Sequence, residues 1–368
     1  MSEEKKPVLL TVSGVIPPDV GAKVKNKERP NPDYIAMAEI FNADLIDYKL
    51  ARKITGWFGK ILEWCFGPQF TLAWACFLLR NQYQLIFTDG EQIGIPLAFL
   101  LKLFSFKHRP RHLMIGHILS VWKKEIVFDL FKIQSSIDYI FVYSTYQKQY
   151  IQKRWNIAPQ KVVFTPFMVD HHFFCQENTT KEEFHPYSKN QHPIICSVGL
   201  EFRDYVTLIE AVKGLDVIVI IAAASPWSKR KSNIKKQSIP ENIIIQRFSQ
   251  YDLRNLYAAS EFVVMPLHPV KFQAGVTAIL EAMSMSKAVI CSRTPGQTDV
   301  IRDGLNGIYV PPKNPLALRE AIQSLLDQPE KARKLGEAGR QTILDCMNLE
   351  KYSQFLNTFV QQSIQPAE

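Results

Sequence analysis

A rhythm of short apolar runs, each followed by a turn and a longer helical stretch, constrains this chain more than any single motif. Residues 8–13 (VLLTVS) open a first series, continued by residues 44–48 (DLIDY), 85–89 (LIFTD), 112–118 (HLMIGHI), 139–143 (YIFVY) and 161–165 (KVVFT). Runs this rich in Val, Ile and Phe, alternating with helical segments, suit the strands of a mostly parallel sheet covered on both faces. A polar stretch over residues 171–192, with Pro186 inside it, interrupts the pattern. A second series then runs through residues 194–198 (IICSV), 217–221 (VIVII), 243–246 (IIIQ), 262–265 (FVVM), 288–291 (AVIC) and 307–310 (GIYV). Two such series in tandem predict an α/β chain of two doubly wound Rossmann-like domains facing each other across a cleft, with ligands at the strand C-terminal ends. The expected division is a first domain over 1–170, a linker over 171–192, a second domain over 193–345 and a C-terminal helix within 346–368.

With 368 residues, 46% of them hydrophobic, the chain can bury two ordinary cores. Its net charge of +9 attracts phosphorylated ligands, anionic lipid and polyanions alike. The chain lacks zinc-finger spacing, an RNA-binding aromatic signature and a dense basic helix, which argues against a nucleic-acid partner. Six cysteines form no C-x-x-C pair, and Cys196 and Cys291 sit within apolar runs, as free buried thiols would. No apolar segment reaches the roughly 20 residues that span a bilayer, and no secretory signal opens the sequence, so the expectation is a cytoplasmic protein.

The sharpest local signal is the stretch from Lys271 to Ile290 (KFQAGVTAILEAMSMSKAVI). It follows a strand ending at Pro266, passes Gly275, starts a helix near Val276 and enters the next strand at Ala288. A glycine at a helix mouth lets phosphate approach free backbone N–H groups, where the helix end adds partial positive charge. Thr277 can add a hydroxyl there. Glu281, one turn further on, offers a carboxylate to a pair of ribose hydroxyls.

This region resembles the C-terminal lobe of the retaining glycosyltransferases of the GT-B architecture, family 4, also called glycosyl transferases group 1. Their hallmark is an acidic residue, seven residues, then a glutamate followed by Ala-Met. Glu281 matches the glutamate of Glu281-Ala-Met283, and Gln273 stands where the first acid would be. Other matching features are Ser197-Val-Gly199 with Arg203, the segment 251–266, Gly296-Gln297 and Gly304-Leu-Asn-Gly307. The likeness is strong over residues 193–330 and weak before them. It implies a donor site in which Arg203, Gly275, Val276 and Thr277 hold a diphosphate and Glu281 holds the ribose. Gln273 and His117 would hold the sugar, and Gly14 would lie near the phosphates. The turn after Gly199 is shorter than the family's and keeps one cation, so Lys229, Arg230 or Lys231 would supply the second. Glu91 is the acceptor-side candidate. The resemblance further implies a C-terminal helix that returns to the first domain.

The expected reaction moves a hexose from a UDP-, GDP- or ADP-sugar to a hydroxyl acceptor with retention of configuration. The departing phosphate takes the acceptor proton, and no cofactor or metal is required, as no Asp-x-Asp motif occurs. A non-catalytic nucleotide-sugar-binding scaffold is the alternative, which Gln273 and the shortened turn favour. A nucleotide-sugar epimerase or an inverting transferase would need its own acid–base group. Trp57, Phe58, Ile61, Trp64 and Phe66 around Lys60, with the aromatics between residues 99 and 106, make an anionic membrane surface a further expected partner and peripheral attachment an expected location. Core helices with charged outer faces are the opposing reading.

Overall fold

The computed structural model describes residues 6–104, 109–179, 192–222 and 239–364. Both strand series form as expected. The first sheet comprises β1 (Lys6–Thr11), β2 (Ala43–Ile46), β3 (Tyr83–Thr88), β4 (Arg111–Ile115), β5 (Tyr139–Val142) and β6 (Val162–Phe164), in the order β2-β1-β3-β4-β5-β6. The second comprises β7 (Ile194–Val198), β8 (Ile218–Ala222), β9 (Ile243–Gln246), β10 (Phe262–Met265), β11 (Ala288–Ser292) and β12 (Ile308–Val310), in the order β12-β11-β10-β7-β8-β9. All recorded strand pairings are parallel. The apolar runs carry no polar–apolar alternation because helices cover both faces; β7, β8, β10 and β11 are buried throughout.

The helices are α1 (Val20–Lys25), α2 (Asp33–Phe41), α3 (Tyr48–Phe66), α4 (Pro68–Leu79), α5 (Glu91–Phe104), α6 (Trp122–Phe131), α7 (Thr145–Trp155), α8 (Tyr205–Val212), α9 (Gln250–Ala259), α10 (Val276–Ser284), α11 (Pro315–Asp327), α12 (Pro329–Cys346) and α13 (Leu349–Ile364). Their starts follow local chemistry. Asp47 accepts the Leu50 N–H to cap α3, and Ser249 and Asp252 form a capping box at α9. The aromatic region 57–79 is divided: Gly67 and Pro68 end α3 and start α4, and Gly56 at φ 57° kinks α3 itself.

The chain forms two compact units. One comprises Met1–Ala22, Pro32–Thr165 and Tyr352–Glu368; the other comprises Lys23–Asn31 and Pro166–Lys351. Within the first, the Tyr143 and Tyr352 hydroxyls hydrogen-bond at 2.8 Å, and Phe359 of α13 packs edge-on against Tyr139 and Phe141 of β5. Within the second, Phe173 and Phe174 are buried in the core, so the start of the polar stretch is anchored. Cys76, Cys175, Cys196 and Cys291 are buried free thiols, while Cys65 and Cys346 are exposed. No described helix is long and apolar enough to cross a membrane.

Each strand order places one crevice. In the second sheet, connections leave β7 in one direction and β10 in the other, so the loops after these two strands part at their C-terminal ends. In the first sheet the corresponding pair is β1 and β3. Doubly wound sheets bind ligands at such switch points.

Candidate donor and acceptor sites

In the second unit, the loop after β7 carries Arg203 and the loop after β10 leads into α10. Backbone bonds tie them together: Asp204 N–H donates to Pro266 O at 2.9 Å, and His268 N–H donates to Phe202 O at 2.9 Å. The Phe202 and Phe272 rings meet edge-on, 4.9 Å apart. Arg203 is thereby turned back across the switch point. Its Nε donates to Val198 O at 2.9 Å and its Nη1 to Glu201 O at 2.8 Å. Two glycines flank the guanidinium. A Cβ at Gly199 would stand 2.5 Å from Nη2, and one at Gly275 would stand 3.2 Å from Nη1. Both glycines adopt left-handed conformations, φ 101° and 78°, so no other residue suits either position. Arg203 therefore reaches the mouth of α10, where Gly275 is the N-cap and no side chain caps the free N–H groups.

The electrostatics are one-sided. Among the described residues Arg203 makes no ion pair, and the adjacent Asp204 is engaged with the Thr207 amide and hydroxyl. Burial pushes the guanidinium pKa down, since it disfavours the charged form. Gln273, in the same loop, has a buried Oε1 with no hydrogen-bond partner. Thr277 is exposed in the first turn of α10, whereas Glu281 is buried and its Oε2 accepts from the Tyr257 hydroxyl at 2.8 Å. Burial raises the Glu281 carboxyl to about 7. Thus Gln273, Gly275, Val276 and Thr277 run from the loop into the first turn of α10 with Arg203 against Gly275, whereas Glu281 lies further along the helix, buried against Tyr257. Lys229, Arg230 and Lys231 fall outside the described residues.

The first unit's switch point has the opposite character. Asp89, at the end of β3, accepts from Thr11 Oγ1 and Ser13 N–H, both at 2.6 Å, which fixes the turn before Gly14. Glu91 is buried at the start of α5. It accepts from His117 N–H at 2.8 Å and Ile118 N–H at 3.3 Å, and pairs with Lys124 at 2.5 Å. These donors hold its pKa below the usual carboxylate value against the opposing effect of burial, which is the largest single influence. Its carboxylate is therefore spent on placing the His117 loop. His117 is exposed, with Nε2 3.0 Å from Asp89 O. If Nε2 carries the proton, Nδ1 is left as an acceptor.

Two residues near these loops carry no sequence signal of their own. Asp33, at the start of α2, accepts its neighbour Tyr34's N–H, and burial raises its pKa; it lies within electrostatic range of His117. Gln297 is fully buried with neither side-chain polar atom partnered, beside Gly296, where a Cβ would stand 2.3 Å from the Phe272 backbone. Gln297 was visible only as part of the matching Gly296-Gln297 pair.

The fold and the two switch points define a two-unit α/β architecture of the GT-B glycosyltransferase type, and known proteins agree. A family model described as "Glycosyl transferases group 1" matches residues 179–342. An uncharacterized glycosyltransferase of Methanocaldococcus jannaschii is 29% identical over 135 residues, 36% of this chain and 38% of that protein. The alpha-D-kanosaminyltransferase of Streptomyces kanamyceticus is 26% identical over 160 residues, 41% of each chain. The matches thus span well under half of these curated relatives. Among solved structures, HepE of Anabaena in complex with UDP-glucose superposes with a TM-score of 0.69 at 11% identity, covering 96% of this chain and 99% of that one. Sucrose-phosphate synthase of Thermosynechococcus elongatus gives 0.68 at 16% identity, covering 97% and 99%.

Proposed function

We propose that the chain is a glycosyltransferase that moves a hexose from a nucleoside-diphosphate sugar to a hydroxyl acceptor with retention of configuration. The observation that carries this is the unpaired Arg203 guanidinium between Gly199 and Gly275 at the open end of α10. A partly buried cation facing free helix N–H groups suits a diphosphate, because both stabilise anionic oxygens. Kanosaminyl transfer by one relative and bound UDP-glucose in a structural neighbour fit this reading.

In this mechanism Arg203 and the amides of Val276 and Thr277 hold the diphosphate, and Glu281 takes the ribose hydroxyls. The Gln273 amide takes a sugar hydroxyl. His117 of the first unit binds a hydroxyl through Nδ1, and Glu91 positions it. As the bond from the anomeric carbon to the diphosphate breaks, negative charge grows on the leaving oxygen, where Arg203 stabilises it. The acceptor oxygen forms the new bond on the same face and passes its proton to the departing phosphate. Asp89 and Glu91 support this route, since the Thr11 hydroxyl, backbone N–H groups and Lys124 occupy their carboxylates. Asp33 favours a second reading, inversion with Asp33 as base, because its carboxylate is less committed. The anomer formed, read by NMR, decides between them: the donor's own configuration supports retention, and the opposite anomer with loss of turnover in Asp33→Asn supports inversion. Donor hydrolysis and transfer assays test the enzyme itself. Tight donor binding with no turnover on any acceptor would favour the scaffold alternative.

A further inference from the structure

The first unit carries an unpartnered apolar face on its helices. In the half of α3 beyond the Gly56 kink, Trp57, Ile61 and Trp64 share one side, with Trp57 74% and Trp64 87% exposed. On α6, Trp122, Ile126 and Leu130 recur every four residues and are all exposed, Leu130 at 70%. Between these helices, α4 and α5 complete a groove of about 330 Å³. Its walls include Phe66, Phe70, Trp74, Phe99 and Phe131, with Pro96 within α5. Ring contacts run along it: Phe66 to Phe70 at 5.2 Å and Phe99 to Phe131 at 4.8 Å. Exposed apolar residues clustered on this scale mark an interaction surface, whereas single ones need no explanation.

Charge decides what the surface meets. The acids on α3 and α6 are already engaged: Glu63 with Arg52, Glu125 with the Tyr150 hydroxyl, and Asp129 with Arg154 and Trp155. Lys49, Lys53, Lys60 and Lys123 are exposed, and none pairs with a carboxylate among the described residues. Exposed tryptophans flanked by unpaired lysines are the arrangement that settles at a bilayer interface, with indoles at headgroup depth and ammonium groups on anionic lipid. A second copy of this chain is a poorer occupant, because a symmetric interface would set lysine-bearing helices against each other with no acid to receive them.

We propose that this face docks on the leaflet of an anionic bilayer, with Trp57, Trp64 and Trp122 at the headgroup boundary and a lipid acyl chain entering the groove. The inference does not depend on the glycosyltransferase reading. It brings the first unit to a lipid surface, where a lipid-borne hydroxyl would be within reach.

The test is flotation of the full chain with vesicles of phosphatidylcholine alone or with 30% phosphatidylglycerol, beside quenching of tryptophan fluorescence by brominated acyl chains. Binding should be at least about tenfold tighter on the anionic vesicles and weaken with salt. W57S/W64S should lose at least about tenfold in binding, and K49Q/K53Q/K60Q should bind anionic and neutral vesicles alike. Both variants change exposed side chains, so circular dichroism and Tm should match the unchanged chain. No binding to anionic vesicles at low salt would overturn the proposal. So would binding without quenching, or light scattering that shows a dimer which W57S/W64S converts to monomer.

Discussion

The two switch points are built alike and charged oppositely. In each unit, two parallel strands end side by side and their loops part. In the second unit the loop residue turned back into the crevice is Arg203, which makes no ion pair among the described residues and has glycine on both sides. In the first unit the acids Asp89 and Glu91 are turned in, and backbone N–H groups, the Thr11 hydroxyl and Lys124 satisfy them. The same topology thus yields one place short of negative charge and another whose negative charge is already used. On the proposed function a diphosphate completes the first of these; the carboxylates of the second instead fix a histidine loop.

The largest way to break this contrast is to fill the space beside Arg203. Gly275→Val puts a side chain against the guanidinium at a φ of 78°, and diphosphate affinity should fall more than about a hundredfold by calorimetry. In the first unit, Asp89→Ala leaves the Ser13 amide and Thr11 hydroxyl without their acceptor. It should cost about 2–3 kcal/mol of unfolding free energy by urea denaturation while leaving diphosphate affinity within about twofold. Equal loss of affinity in both variants would collapse the distinction.

Glu281→Gln sharpens it with pH. The folded carboxyl titrates at about 7 against a usual value near 4.5, because burial disfavours the charge. The native state therefore holds the proton more tightly, and this group's contribution to stability falls as pH rises from about 4.5 to 7, then stays level. Removing the charge should make the variant about 1–2 kcal/mol more stable than the parent at pH 8, with no gain at pH 4.5, as read from Tm. The same change should weaken nucleotide binding about tenfold if the carboxylate holds ribose. The smallest effect is expected at exposed His117. His117→Ala should shift stability by less than about 0.5 kcal/mol yet lower kcat, and a loss of fold instead would make it a structural residue.

Much of this was legible in the residues. The runs at residues 194–198 and 262–265 are β7 and β10 to the residue, because buried parallel strands leave a continuous apolar signal; the run at 243–246 is β9 to the residue although this edge strand is only partly covered. Gly275 before a helix also reads directly as a helix mouth. Partnerships across the fold did not show. Nothing near Glu281 announces Tyr257, 24 residues upstream, and nothing near Glu91 announces Lys124. Such pairs depend on which helices a sheet brings together. Gln297 is a similar case: an ordinary polar residue in sequence becomes notable only once its burial is known.

The most direct test of the account titrates the intact chain and Arg203→Ala with UDP-, GDP- and ADP-sugars by calorimetry. Saturable binding of one of these donors, weakened at least about tenfold in the variant, is the predicted result. Equal affinity of both proteins for that donor, or binding of none of the three, would contradict it.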